Sequence, residues 1–205
     1  MRRPRTGELL WILCAQFFLA EQVTSHGWRL PYSFALNYIS DLGAQHCNAL
    51  ICSPWHQVMN GSFVLQGFLI GAGALSLWTR FGGMGKFSLA LLALCAGGVV
   101  LVGLAPSDQD PALHTVGGTT HFVAAGLGIC VMGVALLQQG NSRLTGFFSV
   151  FTGIIVLTAT AILGGLSSTS QQISHPVGAI ERVGAYGIVL WLVVMGCRGE
   201  IAKTQ

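Results

Sequence analysis

Six stretches of roughly 20 mostly apolar residues follow one another along this chain, at 7–24, 58–78, 87–105, 116–137, 147–166 and 178–197. Each is long enough to cross the hydrocarbon core of a bilayer as a helix, the one open-ended conformation that satisfies all its backbone polar groups within the segment. The scarcity of charge points the same way. Only 8% of the 205 residues are charged and 52% are hydrophobic, whereas an ordinary soluble domain carries roughly 25% charged residues to coat its surface. The 28 glycines fit a lipid medium as well, because small residues let helix backbones approach closely there. The expected fold is therefore all-α: a polytopic membrane bundle of about six transmembrane helices, forming a single transmembrane domain over residues 1–205 with an extended outer connection at about 25–57. The first and last spans are the least uniform, since the first contains Gln16 and Glu21 and the last opens with Glu181 and Arg182.

Basic residues orient such a bundle, because short loops rich in Lys and Arg stay on the cytoplasmic side. With the N-terminus inside, Arg2, Arg3, Arg5, Arg80, Lys86, Arg143, Arg198 and Lys203 are cytoplasmic, and only Arg29 and Arg182 of the ten lie outside. Both termini are then cytoplasmic. The same assignment gathers Glu21, Asp41, Asp108, Asp110 and Glu181 at the outer face, together with His26, His46, His56, His114, His121 and His175. A competing reading makes residues 2–5 and the following apolar run a cleavable signal peptide ending near 23–25; Gln16 within that run and the aromatic residues toward its end favour a retained span. The net charge of +3 is topological, for the cations are not interleaved with aromatics as in a nucleic-acid surface, and no nucleic-acid partner is expected. Cys14, Cys95, Cys130 and Cys197 lie in apolar stretches as small hydrophobes. Cys47 and Cys52 share one polar connection and could bridge in an oxidising compartment.

Three polar constellations converge on the outer face. In Asn37-Tyr38-Ile39-Ser40-Asp41-Leu42-Gly43, Asp41 is a candidate base or ligand, and capping of a short interfacial helix by Ser40 or Asp41 is the structural alternative. The turn Pro106-Ser107-Asp108-Gln109-Asp110-Pro111 leads into His114 and His121, seven residues apart and hence on one helix face about 10 Å apart. One of these imidazoles could join Asp41 or Asp108 around a water or a metal such as zinc, although the sequence leaves metal content and any other cofactor unknown. His121 would sit about two turns into the membrane, where an ionisable group is expensive. Finally, Glu181-Arg182 brings an acid and a base to the start of the last helix, where Arg182 would either hold an anionic group or lock the helix ends through an internal salt bridge. No nucleophile elbow, His-Glu-x-x-His zinc motif or phosphate-binding glycine loop is present.

These residues carry a family resemblance. With Asn37 to Gly43, Asn60 opening the second span, Pro106-Ser107-Asp108 with His114, and Glu181-Arg182, the chain resembles the six-helix membrane proteins grouped as domain of unknown function 998 over nearly its whole length. Ala105 stands where the family carries an aromatic residue before Pro106. The resemblance implies the six-helix architecture and transfers no activity.

The functional expectation is a site at the outer membrane face that binds a membrane lipid or another amphipathic small molecule, with hydrolysis or group transfer as its chemistry. Asp41, Asp108, His114 and His121 would be its acid-base groups, and Ser40, Glu181 and Arg182 would hold the substrate. A small multispanning transporter and a non-catalytic assembly protein are the alternatives. In a bacterium the location would be the inner membrane.

Overall fold

Proline, glycine and one capping carboxylate set the helix boundaries. The computed structural model describes residues 5–140, 143–167 and 175–198. Among them are seven α-helices: α1 Thr6–Leu13, α2 Gln16–His26, α3 His56–Leu77, α4 Gly83–Leu104, α5 Pro111–Gln139, α6 Arg143–Ser167 and α7 Val177–Arg198. The Asp110 side chain accepts from the Leu113 N–H at 2.9 Å and Pro111 takes the first helical position, so α5 begins where a donor is capped and the missing proline N–H costs nothing. The same helix stops at Gly140, whose φ of 71° is the left-handed conformation that glycine adopts without strain.

The segments His56–Arg80, Gly83–Leu104, Pro111–Gln139, Arg143–Leu166 and Val177–Arg198 are each long and apolar enough to cross a membrane, and the chain is an all-helical membrane bundle. The expected first span behaves differently, because it is jointed. Cys14 and Ala15 separate α1 from α2, and the N–H groups of Cys14, Ala15, Phe17 and Phe18 each bond the carbonyl three residues back, a tightened 3-10 turn. Just past this joint Gln16 reaches into the bundle, where its Nε2 donates to the Ser62 carbonyl at 3.3 Å and to Gln66 Oε1 at 3.0 Å.

Helices adjacent in sequence pack side by side from α3 to α7, and α1 closes the ring between α3 and α7. Trp11 of α1 and Trp191 of α7 meet in the centre with ring centroids 5.7 Å apart, both fully buried. Gly73 makes this possible: a Cβ there would collide with the Trp11 indole, whose Nε1 donates to the Ile70 carbonyl at 3.2 Å. Gly98 and Gly117 do the same for α4 and α5, where each would drive a Cβ into the opposing backbone. That close approach brings His121 of α5 against Cys95 of α4.

One end of the bundle carries the long connection 27–55. It folds over the helix ends as a cap and buries its own Trp28, Ile39, Leu42 and Ala44. A 3-10 turn, Ser40–Gly43, lies at its centre. The cap is fastened to α3 where Asn60 Nδ2 donates to the Gly43 carbonyl at 2.9 Å, and to α7 where the Ala179 N–H donates to the Ala35 carbonyl at 3.0 Å. A disulfide joins Cys47 to Cys52 within it.

Candidate functional site

The site grows from a buried arginine. Arg182 is 6% exposed and its partner Glu21 is 0% exposed, and burying such charges costs several kcal/mol per ion unless each is paired and hydrogen-bonded. Both conditions are met. Arg182 Nε donates to Glu21 Oε1 at 2.9 Å, with Nη2 also 2.9 Å from that oxygen. Nη1 reaches the carbonyls of Phe34, Asn37 and Gly178 at 2.7, 2.8 and 3.0 Å, and Nη2 donates to the Tyr32 hydroxyl. The guanidinium also lies over the Phe34 ring, 4.9 Å from its centroid. The Tyr186 hydroxyl donates to the second oxygen of Glu21 at 2.7 Å. Thus α2, α7 and the cap are tied at one point, and the guanidinium's fork of donors is directed at protein acceptors.

The neighbouring residue of α7 points elsewhere. Glu181 Oε2 accepts from the Ile39 N–H at 2.5 Å, and Glu181 lines an open cleft of about 680 Å³ between the cap and helices α5, α6 and α7. The cleft wall brings together Tyr38, Ser40, Asp41, Ser107, His114 and Glu181, with Thr115 and Thr119 from α5 and Thr160 from α6. Next to it lies a smaller, narrower chamber of about 60 Å³, which shares Ser40, His114, Gly118, Phe122 and Glu181 with the cleft and continues to Gln66 and His121 among Phe17, Phe63, Val99, Val102 and Val189. The polar groups therefore sit at the mouth and the inner walls are largely apolar.

Two mouth residues have defined proton chemistry. Burial pushes the Asp41 carboxyl up from 3.8 to about 6, against the opposing pull of the Tyr38 N–H and the Arg182 charge; the Tyr38 N–H donates to Asp41 Oδ2 at 3.0 Å. His114 Nδ1 lies 2.8 Å from the Ala105 carbonyl oxygen. A carbonyl only accepts, so Nδ1 carries the hydrogen and the neutral ring has its lone pair at Nε2.

The residues singled out by sequence thus separate. Ser40, Asp41, His114 and Glu181 line the cleft, and His121 lines the inner chamber. Its Nδ1 is 3.1 Å from Cys95 Sγ and 3.2 Å from the Cys95 carbonyl oxygen. Asp108 lies apart, where it staples the cap to the α4–α5 turn: its carboxylate accepts from the Gln45 N–H at 3.0 Å and the His46 N–H at 2.8 Å, with His46 Nδ1 at 3.1 Å. Burial alone would raise the Asp108 carboxyl, but these bonds and one from Gln109 outweigh it and hold it below the ordinary carboxylate range. Arg182 stands behind the cleft, bonded to the backbone of the cap that forms its wall. Among the described residues no three His, Cys, Asp or Glu side chains gather as a metal cage.

Thr115, Thr119 and Thr160 are wall residues that the sequence reading did not single out, and they join Ser107 of the Pro106–Pro111 turn and Gln66. On α5 the signal was present: Thr115, Gly118, Thr119 and Phe122 share the helix face of His114 and His121 at spacings of three and four. Gln66 was visible as a lone amide in the middle of an apolar span.

The profile of the family described as "Protein of unknown function (DUF998)" matches residues 12–198. No curated protein and no solved structure matches the chain.

Proposed function

The chain belongs to the DUF998 family, and on that premise we propose that it binds an amphipathic molecule, a lipid or one of similar build, in the cleft at the capped end of the bundle and acts on its polar head. The carrying observation is that Ser40, Asp41, His114 and Glu181, delivered by three separate parts of the chain, line one opening backed by an apolar interior. A mouth that sets polar groups among apolar walls matches the head-group region of an amphipathic ligand.

Charge narrows the head group. The described wall of the cleft contains two carboxylates, an imidazole and several hydroxyls, while Arg182 is engaged with Glu21 and the cap. A neutral or cationic head is favoured over an anionic one. Arg182 then serves as a positioning residue that fixes α7 and the Asn37–Asp41 wall, and Asp108 holds the cap in register.

The chemistry this wall supports is hydrolysis or transfer at the head-group linkage. His114 Nε2 takes a proton from water as its oxygen attacks the linkage and then returns that proton to the leaving oxygen, while the Asp41 carboxylate pairs with the head. Glu181 and Ser40 orient the head. The capped end faces away from the cytoplasm in this reading, supported by the concentration of basic residues at the other end and by the Cys47–Cys52 bridge, which suits an oxidising compartment.

The test uses purified protein in nanodiscs with octyltrimethylammonium, octyl glucoside and octyl sulfate below their micellar concentrations. The first two should bind more tightly than the sulfate, and Asp41→Asn should erase the ammonium's advantage; equal binding of all three overturns the head-group reading. Unchanged lipid turnover in cells carrying Asp41→Ala or His114→Ala would remove the catalytic part.

A further inference from the structure

Gln66 is 2% exposed, and its Nε2 has no hydrogen-bond partner. Which amide atom is free follows from its neighbours. Ser62 Oγ donates to Gln16 Oε1 at 3.0 Å, and Gln16 Nε2 faces the Ser62 carbonyl at 3.3 Å. A carbonyl cannot donate, so that atom of Gln16 is the nitrogen, and the Gln66 atom it meets at 3.0 Å must be the oxygen. The orphaned group of Gln66 is therefore its NH₂, a donor at the wall of the inner chamber. A buried donor left unmade carries its full desolvation penalty of about 1–3 kcal/mol.

We infer that the inner chamber is a deep subsite for a small uncharged acyl group of the amphipathic ligand, with the Gln66 amide donating to its carbonyl oxygen. This rests on the cleft binding such a ligand from its mouth. Size supports the assignment: a water needs about 10–15 Å³ by this kind of measure, so 60 Å³ holds about four to six waters or as many non-hydrogen atoms, room for an acetyl group and the ester oxygen that carries it. Wall chemistry decides between them. An ordered water needs two to four polar partners, whereas Ser40, His114 and Glu181 belong to the end shared with the cleft and the inner end sets Gln66 and His121 among Phe17, Phe63, Val99 and Val102, so several waters at that inner end would leave bonds unmade. An acetyl group gives one oxygen to the amide and its methyl to the apolar walls. An anion is disfavoured there because the Glu181 carboxyl lines the same chamber and the free donor, the Gln66 amide, is neutral. From the mouth, the acyl group enters past His114 and Phe122, which belong to both walls.

The experiment measures binding of three matched probes to the full chain in nanodiscs: 1-octyl-2-acetylglycerol, 1-octyl-2-ethylglycerol, which differs by lack of the carbonyl, and 1-octylglycerol. The acetyl probe should bind at least about fivefold more tightly than the ethyl probe. That ratio should fall to about one in Gln66→Leu and, through filling of the chamber without touching its polar groups, in Val99→Phe. Equal affinity for acetyl and ethyl probes, or a preference that survives in either variant, overturns the subsite; if 1-octylglycerol still binds, the cleft reading stands and the chamber holds water alone. Failure of all three probes to bind overturns both.

Discussion

Each end of the bundle buries a carboxylate against an arginine at 2.9 Å, Glu8 with Arg80 at one end and Glu21 with Arg182 at the other. The chemical pair is the same and its use differs. Glu8 divides its oxygens between Arg80 Nη1 and the Arg5 N–H, so it fastens the start of α1 to the turn between α3 and α4. Arg182 instead collects acceptors from α2, α7 and three points of the cap, and the residue beside it forms the wall of a cleft. A connection of nearly thirty residues needs a hub that fixes several of its backbone groups at once, because each ordered residue costs about 1–2 kcal/mol of backbone entropy.

The largest expected difference between the ends comes from removing the cations. Arg182→Met leaves Glu21 buried without its counter-ion and should cost about 3–5 kcal/mol, read by thermal unfolding in detergent, whereas Arg80→Met should cost less, since the Arg80 side chain is 13% exposed and water can reach Glu8 in its place. Equal losses would dissolve the distinction. Next in size is Gly178→Ala, whose Cβ would meet the Asn37 carbonyl. It should cost about 1–3 kcal/mol by overpacking and weaken ligand binding in the cleft, while an alanine at Gly97, which has open space around it, should do neither.

A smaller effect sharpens the comparison through pH. Asp41 is protonated below about 6 in the folded chain and below 3.8 when unfolded, so its burial favours the protonated fold. Its contribution to stability is full at low pH and declines as the pH rises from about 4 to 6. Asp41→Asn should flatten that slope, and binding of a cationic amphiphile to the wild type should strengthen as the pH rises through about 6. The smallest change is expected at the staple. Asp108 is held below its ordinary range, so its contribution is present at neutral pH and lost as the pH falls through that lowered value. Asp108→Asn should cost less than about 1 kcal/mol at pH 7 and converge with the wild type in acid, a loss of several kcal/mol being evidence against so exposed a fastening.

Much of the fold could be read from the sequence because lipid imposes a simple rule: a segment of the right length with nothing to ionise becomes a helix. The joint at Cys14 and Ala15 could not, since it depends on a tightened turn and an inward amide whose partners lie on α3, far along the chain. Asp41, His114 and Glu181 stood out as acids and a base at helix ends, and they line one cleft. Asp108 looked equivalent to Asp41 in composition, yet it bonds the backbone of Gln45 and His46, a pairing set by how the cap folds.

By itself the sequence determined the long apolar helices and that most acids and histidines fall outside them, because hydrophobic length and charge are local properties of the chain. Only the tertiary structure decided that Arg182 is a hub, that Glu181 beside it lines a cleft and that Gln66 keeps a donor unused in the chamber next to it. Those outcomes depend on which carbonyls and carboxylates arrive from distant segments, and nothing in the spacing of residues along one helix specifies them.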